Sequence, residues 1–358
     1  MDINKRNIGD YNWIERDFIY IKNKKGADIM KEKILELLKA SGNDFVSGQK
    51  ISEVLGVSRA AIWKHIKVIK EDGYEVEAIS RKGYRIISSP DILTFEEIKN
   101  HLNTECIGKN IIYCNSIGST NTKAKELAEM GKEHGTVVIS EEQTLGRGRL
   151  GRNFLSPKYK GIWMSLILRP NILTENISKI TLLGAAAVQK AIMKMGVKTS
   201  IKWPNDIILN GKKVCGILTE MSGEIDHVNY LVMGIGINVN LEKEDITTDL
   251  KDVATSIKIE SGKLMDRKLL LANILNIFEE LYNDFVENDS IKETLEICRK
   301  NSVLIGKEIK LINRGKVTIA KAIDISDKGE LVVENSSGNV EYIVSGEVSI
   351  RGMDGYSD

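Results

Sequence analysis

The chain has 358 residues, too many for one comfortable hydrophobic core, so about two or three domains are expected. Its 51 lysines and arginines nearly balance 50 aspartates and glutamates, which excludes recruitment of a polyanion by the field of the whole molecule; a local patch must do it. The four cysteines (Cys106, Cys114, Cys215, Cys298) are scattered without a C-x-x-C or nearby histidine pairs, which argues against a zinc site and a disulfide framework.

No apolar run approaches the roughly 20 residues that span a bilayer, and the polar start MDINKRNIGDYNW lacks the apolar core of a signal peptide. A cytoplasmic protein with no membrane partner is expected. Residues 1–29 show no clear period and read as a polar extension, either a disordered arm or an upstream stretch admitted by the choice of start codon.

From Met30 the pattern changes. IMKEKILELLKA places Ile34, Leu35, Leu37 and Leu38 on one helical stripe, ended by Ser41-Gly42-Asn43-Asp44. GQKISEVLG predicts a second short helix, and RAAIWKHIKVIKEDG a third with Ser58 as its N-cap and Ile62, Ile66 and Ile69 facing inward. A short helix, a Gly-containing turn and a longer helix make a helix-turn-helix. Arg59, Trp63, Lys64, Lys67 and Lys70 then fall largely on outer faces, where cations meet phosphates and base edges. YEVEAISRKGYRII alternates like a hairpin around Arg81-Lys82-Gly83, a basic wing. A solvated helical face would explain lysines alone. The coincidence of turn chemistry, helix charge and wing favours DNA binding through Ser58, Arg59, Lys64, Lys67, Arg81 and Lys82, on a winged helix-turn-helix domain over residues 30–88.

Ser88-Ser89-Pro90 reads as a linker, and Thr94 with Glu97 as a capping box that opens the next domain. Residues 92–300 alternate strand-like runs (GTVVIS, GIWMSLILR, VMGIGINVN) with helical ones (TKAKELAEMG, ISKITLLGAAAVQKAIMKMG, DRKLLLANILNIFEELYNDF), which predicts one mixed α/β domain. Residues 301–352 hold short strands (GKEIKLIN, GKVTIAKAIDIS, GELVVEN, VEYIVSGEVSIR) between Asn/Asp/Gly/Ser turns, as in a small β-barrel. The fold class is therefore α+β and multidomain.

QTLGRGRLGRNF, residues 143–154, contains G-x-G-x-x-G. A dinucleotide fingerprint lies between a strand and a helix, but here another strand follows; no Gly-Lys-Ser/Thr closes a Walker loop either. What remains is a glycine loop carrying Arg147, Arg149 and Arg152, better suited to closing over an anionic ligand than to idling as a solvated basic loop. GSTNTKAKELAEMG supplies Ser119, Thr120, Asn121 and Thr122 at one helix start: capping alone, or a surplus that bonds a neutral polar ligand. IKWPNDIILNGKKVCGILTEM reads as strand, turn, strand, Asn210-Gly211 hairpin, strand. Lys213 shares the face of Cys215 and Ile217 there, either at a solvated strand mouth or awaiting a carboxylate or phosphate. In GIGIN, Gly234, Gly236 and Asn238 fall on one strand face, either close sheet packing or a slot with a polar end.

SGQKISEVLGVSRAAIWKHIK, STNT, QTLGRGRLGR, KWPND, KKVCGIL, GIGINVN and GEVSIR stand in the order found in the bifunctional biotin-protein ligase and biotin operon repressor family, which the chain resembles from about Met30 to Arg351. The resemblance implies a central ligase domain and an SH3-like barrel. It implies that biotin and MgATP form biotinyl-5'-adenylate, from which biotin passes to a lysine of a biotin carboxyl carrier protein. By likeness, Ser119, Thr120, Asn121 and Gln143 line the ureido and ring pocket. Arg147, Gly148 and Arg149 form the loop over biotin and adenylate, and Lys213 lies at the carboxylate and α-phosphate; Lys213, Arg149 and Arg147 are the candidate catalytic residues. Arg149, Arg152, Asn205, Asn238 and Arg351 belong to the nucleotide side, with Asp206 a candidate for magnesium and no tightly bound metal. Leu150 and Phe154 stand where some relatives have arginine and tryptophan. A homodimer of the adenylate-bound form, on a palindromic operator, follows from the repressor half of the resemblance. The rival readings are a lipoate-type ligase, disfavoured by the arginine-rich loop and attached helix-turn-helix, and a DNA-binding regulator that senses biotin without ligase activity.

Overall fold

The computed structural model describes residues 30–224, 227–313, 316–344 and 349–352, and the chain divides into two compact units at Asp91/Ile92. The expectation for residues 1–29 lies outside the described residues.

The first unit holds helix α1 over 30–40, α2 (Gly48–Leu55), α3 (Arg59–Glu71) and the antiparallel pair β1 (Glu75–Ile79) and β2 (Gly83–Ser88). Ser47 and Ser58 cap α2 and α3 by accepting from the amides of Lys50 and Ala61, and Gly56 ends α2 in the left-handed conformation that favours glycine. Ile34, Leu35, Leu38, Ile51, Ile62, Ile66 and Ile69 form the core, so the helical stripes face inward as the spacing predicts. Gly83 carries a close approach: a Cβ there would overlap the Val46 carbonyl, with which Tyr84 pairs.

The second unit is built on a seven-stranded sheet in the order β3-β4-β5-β9-β8-β7-β6. Its strands are β3 (Ile111–Cys114), β4 (Val137–Ser140), β5 (Gly161–Leu168), β6 (Ser200–Lys202), β7 (Asp206–Leu209), β8 (Lys212–Glu224) and β9 (His227–Asn238). Of the pairings between these seven strands, β3 with β4 is parallel and the rest are antiparallel. The helices are α4 (Phe95–Ile98), α5 (Thr120–Glu129), α6 (Ile177–Lys194), α7 (Ile257–Ser261), α8 (Arg267–Asn288) and α9 (Lys292–Lys300). α6 and α8 both turn apolar faces into the main core; α5 packs elsewhere, setting Ala124 and Ala128 against Val138, Ile167 and Val232. Burial of both faces explains why β4 and β5 are predominantly apolar instead of alternating.

The expected capping box at α4 does not form. Thr94 occupies the N-cap position without a side-chain bond, and the buried Glu97 carboxylate turns instead to Lys268 of α8, 3.3 Å away. A four-residue helix offers little to cap, and a buried carboxylate requires a cation.

The C-terminal sheet contains β10 (Glu308–Asn313), β11 (Lys316–Ile325), β12 (Leu331–Asn335), β13 (Val340–Ile343) and β14 (Ser349–Gly352), all antiparallel in the order β13-β12-β11-β10-β14. The run VEYIVSGEVSIR therefore divides into two strands at opposite ends of this sheet. The sheet packs within the second unit: Trp203 Nε1 donates to the Gly329 carbonyl at 3.0 Å, and Arg299 donates to the Ile325 carbonyl and pairs with Asp324 and Asp327.

Candidate functional site

The residues singled out in the second unit converge on one cleft of about 230 Å³. Its floor begins at α5. Ser119 is the N-cap residue but makes no capping bond, and Thr120 and Asn121 are buried. The Thr120 amide and hydroxyl donate to Gln143 Oε1 at 2.8 and 3.0 Å, and Gln143 Nε2 donates to Ser156 at 3.0 Å. Asn121 is fixed in one orientation, because Nδ2 donates to Glu220 (2.8 Å) while Oδ1 accepts from the Ser165 hydroxyl (2.6 Å). Lys125 holds Glu220 from the other side at 2.9 Å, and the Lys125 and Asn121 bonds keep that carboxyl below its ordinary range despite its burial.

Ser165, fully buried on β5, lies 2.8 Å from Thr120 Oγ1 and so ties the two helix residues together. Sequence reasoning passed over it, although one hydroxyl inside the apolar run GIWMSLIL was a signal.

The glycines of GRGRLGR act through space and backbone shape. A Cβ on Gly146 would meet the Phe154 carbonyl and Ser156, and Gly151 has φ +71°. The loop folds on itself, with the Gly148 amide donating to the Arg152 carbonyl at 2.7 Å and the Phe154 amide to the Gly146 carbonyl at 2.9 Å. Where a dinucleotide fingerprint would start a helix there is one 3-10 turn, Arg149–Gly151. The root of the loop is anchored by Glu141, whose pair with Arg267 (2.8 Å) has both side chains 0% exposed; Glu141 also accepts from the Leu93 amide, and Arg267 donates to the Gly161 carbonyl. No periodicity announced this pair.

The wall opposite comes from β6 to β9. Ile207 pairs with Cys215 but Ile208 pairs with Lys213, so Val214 is an extra residue at a bulge. This corrects the strict alternation that put Lys213 on the face of Cys215 and Ile217. Its ammonium lies 2.7 Å from where a Gly216 Cβ would stand, on the opposite face, which is the cleft face. There it meets Asp206 Oδ1 at 2.6 Å. Asn205 donates to Asp206 Oδ1 and the Ile217 carbonyl, and accepts from Arg149 at 2.7 Å, so the loop and the WPND turn are bonded together.

Gly216, Gly234 and Gly236 flatten this wall: Asn121 occupies the space a Gly234 side chain would take, and the Phe154 ring that of Gly236. Phe154 also packs edge-on against Trp163, with ring centroids 5.9 Å apart. Asn238 donates to the Thr255 carbonyl, but its Oδ1, buried at the cleft, has no partner among the described residues.

Charge is the dominant property. Six cations line the cleft (Arg147, Arg149, Arg152, Lys202, Lys213, Arg351) with Asp206 as the one carboxylate among the described lining residues. Lys202 was not singled out from sequence, though a lysine ending an apolar strand invites the argument applied to Lys213. It is 3% exposed, and burial, reinforced by Arg351, Lys213 and Arg152 against the opposing pull of Asp206, lowers its pKa to about 7. Among the described residues no three or more His, Cys, Asp and Glu side chains gather to hold a metal.

In the first unit, Arg59, Lys64, Lys67, Arg81 and Lys82 are all exposed. Among the described residues Lys67 pairs with Glu71 alone, at 3.9 Å, and Lys82 lies over the Phe45 ring. Arg81 takes φ +67° at the tip of the β1–β2 hairpin. This surface presents cations to solvent on a helix and a wing, a form suited to phosphates and a groove. Among the described residues no helix is long and apolar enough to cross a membrane.

Three family profiles match the chain in succession: HTH domain over residues 31–85, Biotin/lipoate A/B protein ligase family over 113–238, and Biotin protein ligase C terminal domain over 304–351. The chain is 42% identical over 322 residues to the bifunctional ligase/repressor BirA of Bacillus subtilis, covering 90% of this chain and 98% of that one. It is 28% identical over 321 residues to the bifunctional ligase/repressor BirA of Escherichia coli, covering 89% and 96%. Among solved structures it is similar to the biotin protein ligase from Aquifex aeolicus in complex with biotin and ATP, with TM-score 0.60 and 34% identity over 68% of this chain and 99% of that one.

Proposed function

The chain belongs to the biotin/lipoate A/B protein ligase family, and we propose from that premise how its residues divide the work of a bifunctional ligase and repressor. It is an ATP-dependent biotin-protein ligase with a DNA-binding domain. The observation that carries the ligase reading is the excess of six cations over one carboxylate in a cleft whose other end is a neutral floor of hydrogen-bonding side chains.

Both reactants of the first step are anions, and bringing a carboxylate against a triphosphate needs positive charge already in place. Thr120, Asn121, Gln143 and Ser119 hold the uncharged ring end of biotin. Lys213 and Arg147 hold its carboxylate, which attacks the α-phosphorus; pyrophosphate leaves toward Arg149, Arg152 and Arg351. The arriving phosphates draw Lys213 from Asp206, and the freed Asp206 carboxylate would hold a magnesium ion brought by the nucleotide, which would supply further neutralisation of the phosphate charge. The base sits near Asn238, whose unpartnered Oδ1 accepts from the adenine amine. In the second step a carrier lysine amine attacks the acyl carbon and AMP departs. Closure of the arginine loop keeps water from the mixed anhydride between the steps.

The reaction takes place in the cytoplasm, and residues 301–352 act as a module that places Arg351 and meets the carrier protein. Adenylate ordering of the loop favours a homodimer, which sets two α3 helices and wings on a palindromic operator, so that ligand and DNA affinities are coupled. Two assays on the full chain test this. Incubation with biotin, MgATP and a biotin carboxyl carrier domain should add one biotinyl group to a carrier lysine, and lipoate should not replace biotin. Sedimentation and operator titration with and without biotin and ATP should show dimerisation and tighter DNA binding together. DNA affinity indifferent to biotin and ATP would refute the coupling, and an unmodified carrier would refute the transfer.

A further inference from the structure

α3 turns Ile62, Ile66 and Ile69 inward, and all three are buried. Trp63, adjacent to that stripe, is 60% exposed and is the largest of the exposed apolar side chains among the described residues of its unit. A lone exposed apolar side chain is ordinary on a protein surface; what distinguishes this indole is the charge around it. Arg59 lies one turn before it and Lys67 one turn after, both exposed, with Lys64 alongside. The only acid of α3, Glu71, sits at the far end of the helix beside Lys67. The ring is therefore set in a row of cations on the helix that the DNA-binding reading places against the duplex.

The occupant that fits this arrangement is the major groove. Flanking cations bind phosphates on its two walls and commit the ring to the groove floor. Of the groups exposed on that floor, the thymine C5 methyl is the one apolar feature, whereas the indole face is apolar and its one N–H is at the edge. Ala60, exposed one turn earlier, leaves the approach unobstructed. We propose that Trp63 reads thymine C5 methyl groups in the major groove, making the sequence preference of the chain depend on thymine at the contacted positions. The proposal rests on the DNA-binding reading and goes beyond it by naming the residue and the group read.

The probe is obtained by enriching duplexes from a randomised pool with the full chain, biotin and MgATP. Each enriched thymine is then replaced by deoxyuridine, which removes the methyl and leaves the hydrogen-bonding edge intact. At one or more positions deoxyuridine should weaken wild-type binding on the order of tenfold. Trp63→Ala should weaken binding to the thymine duplex by a similar factor and lose the thymine/deoxyuridine discrimination, Trp63→Phe should keep part of it, and Lys67→Ala should keep all of it while binding less tightly. Unchanged thermal midpoints establish that the variants are folded. Full discrimination in a folded Trp63→Ala, or none in the wild type, overturns the proposal while leaving DNA binding intact. A pool that yields no enriched sequence overturns the DNA-binding reading and the proposal with it.

Discussion

The cations of α3 and the wing and the cations of the cleft differ in their surroundings far more than in their charge. Arg59, Lys64, Lys67, Arg81 and Lys82 are exposed. In the cleft Lys202 is almost wholly buried, Lys213 is held by Asp206, and Arg149 is bonded to Asn205. Exposed cations are hydrated, screened and individually worth little; they act together by releasing counterions from a long polyanion. Fixed cations in a partly dry cleft act on one phosphate geometry, and they titrate or fail one at a time. One chain thus addresses two kinds of phosphate by altering burial.

The sharpest separation is in stability. Removing one partner of the fully buried Glu141–Arg267 pair strands the other charge, so Arg267→Ala should lose about 3–5 kcal/mol in urea unfolding. Lys67→Ala, at an exposed position, should stay within about 0.5 kcal/mol of wild type. Equal effects would erase the distinction. Next comes the chemical step: Lys213→Ala should lower biotin-dependent pyrophosphate exchange roughly 100- to 1000-fold with the fold intact, the scale of losing one preorganised electrostatic contact.

Lys202 makes the contrast visible in pH. Its pKa in the folded protein is about 7 against an ordinary 10.5, so between those values the unfolded chain binds a proton that the folded chain lacks, and this residue makes stability rise with pH across that window. Nucleotide phosphates bound in the cleft should reverse the shift by recharging the amine. ATP binding should then take up a proton, and apparent affinity should fall as pH rises from 7 to 9, by up to about tenfold per unit; Lys202→Gln should flatten the profile. Calorimetry in two buffers of different ionisation enthalpy counts the proton directly. The smallest effect belongs to the exposed surface, where Arg81→Ala should reduce the salt slope of DNA binding by about 0.9 and weaken all sequences alike.

The two regions were also unequally legible. The helix-turn-helix could be read in the chain because its determinants are local: Ser47 and Ser58 cap, Gly56 turns, and the isoleucines recur at helical spacing. In the cleft, the residues carried by motifs (Ser119, Thr120, Asn121, Gln143, Arg147, Arg149, Asn205, Lys213, Asn238) do line one cavity with Arg351, which lies far along the chain. What periodicity could not supply was pairing at long range. Glu141 with Arg267, Asn121 with Glu220, and Ser165 beneath Thr120 each join residues from separate elements. The bulge at Val214 defeated simple alternation and carried Lys213 from the apparent core face to the cleft. The Thr94–Glu97 box failed because a buried carboxylate answered a distant lysine before its own helix end.

Fixed charge in the cleft is what activates the carboxylate. Its most direct test is exchange of labelled pyrophosphate into ATP by the full chain, with biotin, with lipoate or with no acid, in wild type, Lys213→Ala and Arg149→Ala. Exchange should occur with biotin alone and fall by a large factor in both variants. Exchange independent of biotin, or none from folded wild-type protein, would contradict it.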